Sequence, residues 1–207
     1  PITMVDKSPL ILVVHPSVAA NSVRELIALA RSKPGVLNYS SGPMGGPSHL
    51  APELFKSMAG VNIVRIGYAG GGLMMTAVLA GEVQLYFTSP TAGMAQIKAG
   101  KLKALGITSS EPSALTPGIP PIAAAGLPGY EVIAPDAVFA PAKTPEARIN
   151  LLYQEIARFI ATPEARARVI GIGAEPVANS PKEFAALIKA DAAKMGKVIK
   201  DAGIGVE

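Results

Sequence analysis

The sequence predicts an α/β fold with a mainly parallel sheet flanked by helices, and three observations predict it. Short β-branched runs alternate, from Leu10 to Ile107, with segments whose apolar residues recur at helical spacing. Hydrophobic residues make up 49% of the chain but aromatic ones only 5%, the balance of strands buried on both faces. Gly- or Ser-rich stretches follow a strand and precede a helix three times, as successive βαβ units require. The 207 residues suffice for one large domain or two small ones.

Residues 10–14 read as an apolar strand ended by His15-Pro16. Asn21 or Ser22 caps a helix over 23–32, in which Val23, Leu26, Ile27 and Ala30 share a face, and Pro34-Gly35 stops it. Residues 36–40 form the next strand. It opens into Ser41-Gly42-Pro43-Met44-Gly45-Gly46 and a helix from Pro47 to about Gly60. Then come a strand over 61–66, a Gly-rich turn over 67–72, and a helix over 73–80. A strand over 83–87 is followed by Thr88-Ser89-Pro90-Thr91 and a helix to Lys98, and 102–107 is a further strand. Residues 109–129, rich in Pro, Ser, Gly and Ala, read as a long surface connection with a helical turn at 121–125. Residues 130–133 and 137–140 are extended, with Pro135-Asp136 between them. Helices over 145–161, 163–170 and 181–202 follow, capped by Thr144, Thr162 and Ser180, with an edge strand possible in the link 171–177. The expected division is an α/β lobe over 1–140 and a helical segment over 141–207.

Composition removes several function classes. The formal net charge is +4, spread over helices without a dense basic run, so nucleic acid is not an expected partner. There are no cysteines, hence neither a disulfide scaffold nor a thiolate metal site, which fits an oxidising compartment. No His, Asp and Glu cluster has metal-ligand spacing, and no cofactor is expected. No apolar run reaches membrane-spanning length, and the start Pro1-Ile-Thr-Met-Val has no signal-peptide pattern. A serine hydrolase is disfavoured: neither Ser41 nor Ser48 sits in Gly-x-Ser-x-Gly, and His15 and His49 are the only histidines.

The loop from Ser40 to His49 carries the strongest functional signal. Glycines let backbone approach a ligand, and a helix start with free N–H groups attracts an anion such as a carboxylate. Ser40, Ser41, Gly42, Gly45, Gly46 and Ser48 are therefore binding candidates, weighed against a loop in which Ser48 only caps its helix. His49 in the first helical turn is a candidate ligand contact or a hydrogen-bond partner of its own loop. Tyr68, Gly70 and Gly71 in the second loop, and Thr88 and Ser89 in the third, line the same sheet edge if the strands are parallel. Asp136, a lone carboxylate in an apolar segment, is a candidate for a ligand hydroxyl or amine, or a turn residue. No catalytic residue is assigned.

Taken in order, the motifs resemble one family. They are His15-Pro-Ser, Ser22-Val-Arg-Glu-Leu, Pro34-Gly-Val-Leu-Asn-Tyr-Ser-Ser-Gly, Ser48-His-Leu-Ala-Pro-Glu-Leu-Phe, Ile97-Lys-Ala-Gly-Lys-Leu-Lys-Ala-Leu, Ala125-Gly-Leu-Pro-Gly-Tyr and Gly173-Ala-Glu-Pro-Val. The chain resembles the Bug substrate-binding receptors of tripartite tricarboxylate transporters. The resemblance implies a periplasmic-binding-protein-like, type II-like fold with two lobes. It implies a small organic carboxylate held by loop amides, hydroxyls and water, delivery to membrane transporter subunits, a periplasmic location and no chemistry. It also implies a first lobe of about a hundred residues that this chain lacks, on which the helices of 141–207 would pack. Ala69 stands where the family usually has lysine, and Thr88 and Gln84 where aspartates are frequent. The expectation is a carboxylate-binding receptor component. The alternative is a truncated homologue that works as an interaction module, with a homodimer made through its C-terminal helices.

Overall fold

The computed structural model describes residues 1–201, which form two compact units. One unit combines residues 1–8 with 134–196; the other holds 9–133 and 197–201. A boundary in sequence at 140 is therefore not where the chain divides in space.

The first unit is built on β1 (Thr3–Ser8), the centre of an antiparallel sheet ordered β7-β1-β8, with β7 at Ala134–Val138 and β8 at Glu175–Pro176. Strand β1 escapes the sequence reading because polar Asp6, Lys7 and Ser8 dilute its alternation and its partners lie over a hundred residues away. Pro135 and Asp136, expected between two extended pieces, lie inside β7. Proline is tolerated there because β7 is an edge strand with one row of donors facing outward. Link residues 175–176 do add an edge strand. Helices α6 (Glu146–Ile160), α7 (Pro163–Gly171) and α8 (Pro181–Asp201) complete this unit, α8 continuing into the other. Thr162 caps α7 through the Ala165 amide. Ser180 caps α8 in a reciprocal box with Glu183, whose carboxyl is held below its usual range by hydrogen bonds from the Ser180 hydroxyl and amide. Thr144 does not cap α6: its hydroxyl donates to the Pro141 carbonyl, and Pro145 takes the cap position.

Asp6 faces Asp136 across the β1–β7 pair and is 6% exposed. Burial, and next the Asp136 carboxylate and a side-chain hydrogen bond to it, raise the Asp6 pKa. A carboxyl with a raised folded-state pKa stabilises the fold below its unfolded pKa, and that contribution is lost as pH rises through the folded value. Asp6→Asn, which imitates the protonated form, is thus expected to melt at a higher temperature than the parent at pH 7. The gap should close towards about pH 4, the ordinary aspartate range. Thermal unfolding followed by circular dichroism from pH 4 to 8 checks this; a gap that widens on acidification counts against it.

The second unit is a five-stranded sheet ordered β4-β3-β5-β2-β6, with β2 at Ile11–Val14, β3 at Asn38–Ser41, β4 at Val64–Gly67, β5 at Leu85–Thr88 and β6 at Lys103–Ile107. Strands β3, β4 and β5 pair in parallel, while β2 runs antiparallel to β5 and β6. Four strands thus share one direction and β2 opposes them. The helix α1 (Val23–Ser32) between β2 and β3 does not force a parallel return, because long loops over 15–22 and 33–37 flank it. Helices α2 (Pro47–Ala59), α3 (Gly71–Leu79), α4 (Pro90–Lys98) and the turn α5 (Ile122–Ala125) cover the sheet. On one face Ile11, Val13, Tyr86 and Ile107 pack with Met74, Ala77 and Val78 of α3. On the other, Phe55 of α2 meets Phe87 and Tyr130 edge-on, each at 6.2 Å between ring centres. The segment 109–129 is more than a surface connection: Thr116 and Ile122 are fully buried, and the Ile107 amide donates to Pro120 O.

Candidate functional site

Because β4, β3 and β5 are adjacent and parallel, their carboxyl ends lie along one edge of the sheet. The three loops singled out in the sequence leave from that edge. The first is held by its own polar groups. Ser48, the second residue of α2, accepts the Gly42 amide at 3.1 Å, while Gly46 is the helix cap. Gly45, at φ +78°, donates its amide to His49 Nδ1 at 3.0 Å, and the Gly46 amide donates to Pro43 O. Burial first, then the nearby Arg65 guanidinium, lowers the His49 pKa, with Glu53 opposing. A neutral ring accepting at Nδ1 carries its proton on Nε2. Ser41 is fully buried and its hydroxyl is used twice, donating to Gly42 O at 3.2 Å and accepting from Arg65 Nε at 3.0 Å.

Arg65, on β4, is the first candidate residue that sequence reasoning missed. Its Nη2 also donates to Gly42 O at 2.9 Å. Among the described residues it has no carboxylate within ion-pair distance. Glu53, the acid of that neighbourhood, is bound by Lys56 Nζ at 2.6 Å and by the Tyr39 hydroxyl. The cue was present: an arginine in a short β-branched strand, opposite Tyr39, is placed by the pleat on one face with Ser41 and Gly67.

The second and third loops present unspent donors. Helix α3 has no side-chain cap, and the Met74 amide is the first to bond back, to Gly70 O. The amides of Gly71, Gly72 and Leu73 stand at its positive end. Beside them is Tyr86, the second missed residue, whose hydroxyl is 3.7 Å from where a side chain at Gly71 would begin. Burial raises its pKa, and the nearby Thr88 hydroxyl offsets part of the rise without making a bond of standard geometry. Ser40 pairs with Tyr86 in the sheet, and Thr88 follows two residues on, so all three share a face. Ser40 Oγ and Thr88 Oγ1 are fully buried and have no hydrogen-bond partner among the described residues. An unpaired buried hydroxyl costs roughly 1–3 kcal/mol, and Gln96 Oε1, Thr116 Oγ1 and Asn179 Oδ1 are left in the same condition elsewhere.

Other candidates lie differently. Tyr68 gives its amide to Ser41 O at 2.9 Å, and its half-buried ring packs on the core around Tyr86 and Met74. Ser89 begins α4 but does not cap it; its hydroxyl meets Thr91 Oγ1 at 3.3 Å. Gly70 is the extended residue before α3. Asp136 belongs to the other unit, where its carboxylate faces Asp6. His15 holds Ser17 through Nδ1 at 2.7 Å, at the end of β2 opposite the three loops.

Comparison with known proteins decides the family. The model of the tripartite tricarboxylate transporter family receptor matches residues 1–204. The chain belongs to this receptor family. A UPF0065 protein from the tcbD-tcbE intergenic region of Pseudomonas sp. (strain P51) is 32% identical over 96% of the chain and 60% of its own length. The structure of Rpa4515 from R. palustris with adipate is 33% identical, with a TM-score of 0.84, over 98% of this chain and 68% of that one. The periplasmic binding protein BugD is 26% identical, with a TM-score of 0.82, over 100% of this chain and 70% of that one. The receptor chain described here therefore spans about 60% of the curated relative's length. Its fold is that of the family's periplasmic-binding-protein-like members.

Proposed function

We propose that this receptor chain is the carboxylate-holding part of a tripartite tricarboxylate-type solute-binding protein. It takes a small organic carboxylate in the periplasm, passes it to membrane transporter subunits, and does no chemistry on it. The observation that carries the reading is the uncapped start of α3 beside the unpartnered hydroxyls of Ser40 and Thr88 and the hydroxyl of Tyr86. Aligned amides and a positive helix end suit a carboxylate, and the buried hydroxyls extend the donor set, directly or through a bridging water. The role of the β3–α2 loop shifts accordingly. Its Gly45 and Gly46 amides and its Ser41 and Ser48 hydroxyls hold its shape, so it frames the site more than it donates to it. Adipate in Rpa4515 supports a carboxylate ligand by kinship. No described helix is long and apolar enough to cross a membrane.

Titrating the 15N-labelled chain with adipate, benzoate and glucose up to millimolar concentration tests this. Saturable shifts of the Gly71, Gly72 and Leu73 amides with the carboxylates alone are expected. Shifts with glucose and none with the carboxylates overturn it.

The second reading, a homologue that works by self-association, is favoured by one observation: large apolar side chains on α6, α7 and α8 are exposed. A hydrolytic reading gains no support: His49 accepts at Nδ1 and so carries its proton on Nε2, and the exposed His15–Ser17 contact lies at the end of the sheet opposite the three loops.

A further inference from the structure

We propose that Arg65 is the specificity-determining residue of this site, which selects a dicarboxylate by taking the carboxylate that α3 does not hold. The inference rests on the carboxylate reading given above. Arg65 spends Nε on Ser41 Oγ and one Nη2 hydrogen on Gly42 O. A guanidinium has five N–H donors in a rigid fork, so three remain. No described carboxylate pairs with it, and Glu53 is already held by Lys56 and Tyr39. A half-buried guanidinium fixed by neutral groups keeps its full charge and lacks a counter-ion, the condition in which a ligand anion gains most. Gly67 leaves the fork open: a side chain there would begin 3.7 Å from Nη2.

The placement selects the ligand. Arg65 leaves β4 and is tied to the end of β3, whereas Thr88 ends β5 and α3 starts on the opposite face from Tyr39. The two donor sets therefore flank the carboxyl edge of the sheet from opposite faces, so a single carboxylate meets one of them and a ligand that meets both carries two. A diacid with a short aliphatic chain does this; a monocarboxylate leaves Arg65 without its partner.

The test compares adipate with its monomethyl ester, which keeps one carboxylate and the chain length. Binding to the 207-residue chain, its Arg65→Gln variant and its Ser41→Ala variant is followed by the same amide shifts. The parent chain is expected to prefer adipate by about tenfold or more, since a hydrogen-bonded charge pair contributes roughly 1.5–3 kcal/mol and 1.4 kcal/mol is tenfold. Arg65→Gln is expected to abolish that preference and spare the ester. Ser41→Ala, which removes one brace but not the charge, is expected to keep it. A residue that only braces the loop would weaken both ligands alike, so a preference preserved in Arg65→Gln overturns the inference alone. Arg65→Met, which keeps the aliphatic stem, serves if Arg65→Gln does not fold. No shift with either compound in the parent chain overturns the carboxylate reading and this inference with it.

Discussion

Phe55→Ala is expected to cost about 3–5 kcal/mol, the range for removing a buried phenylalanine side chain. A domain of ordinary stability has roughly 5–15 kcal/mol in all, so this is about a fifth of it or more. Phe55 is 1% exposed and stands on α2 between Phe87 of β5 and Tyr130, both edge-on. Two losses add. The ring's transfer energy goes, and so do two aromatic pairs worth about 0.5–1.5 kcal/mol each beyond burial. The cavity cannot readily collapse, because Tyr130 is pinned by its hydroxyl to Ala51 O at 2.9 Å and Phe87 lies in the sheet. The same helix begins with Gly46, Ser48 and His49, so slackening α2 also loosens the loop that frames the site. Urea unfolding should show a lower midpoint with an unchanged slope. A loss below about 1.5 kcal/mol, the scale of a conservative methylene deletion, would show that α2 is anchored elsewhere.

The parts of this fold that were legible in sequence are those set by local rules. Helix α1 ends where Ser22 and Pro34-Gly35 place it, because capping and proline geometry act within a few residues. The three loops fall on one edge because they follow strands that prove adjacent and parallel. What depends on distant partners was not legible. Strand β1 exists through residues 134–138 and 175–176, and β2 reverses direction although a helix follows it. The candidate site shows the same divide. Reading glycines and serines located the loops but could not say which donors are spent. Gly45 and Gly46 give their amides to His49 and Pro43, while the hydroxyls of Ser40 and Thr88 are left without partners among the described residues. Arg65 and Tyr86 were missed because their roles arise across strands, through Ser41 and Gly71.

The C-terminal helices are expected to make the 207-residue chain associate in pairs at micromolar concentration. The unit of residues 1–8 and 134–196 exposes Phe139, Leu151, Leu152, Phe159, Ile170, Ile172, Leu187 and Ile188, with Phe159 58% and Ile172 65% exposed. That is a dense set for a unit of this size, and isolated exposed apolar residues would need no explanation. Burying such a side chain fully contributes about 1.5–3 kcal/mol, so a half-exposed one has roughly half of that left to gain. If half of the set on each of two copies were covered, the gross gain would be roughly 6–12 kcal/mol, against about 4–15 kcal/mol lost in association. At the favourable end the surplus is roughly 8 kcal/mol, a Kd of about 1 μM, which argues for a concentration-dependent pair, and a two-fold pair is the commonest closed arrangement. Light scattering coupled to size exclusion, from about 1 to 100 μM around the Kd that such a balance gives, should show a mass rising from 21.2 kDa towards twice that value. Leu152→Glu with Phe159→Glu, both exposed on α6, should return it to the single-chain mass without lowering the melting temperature. A mass that stays at 21.2 kDa across the range would mean that this helical face does not recruit a second copy.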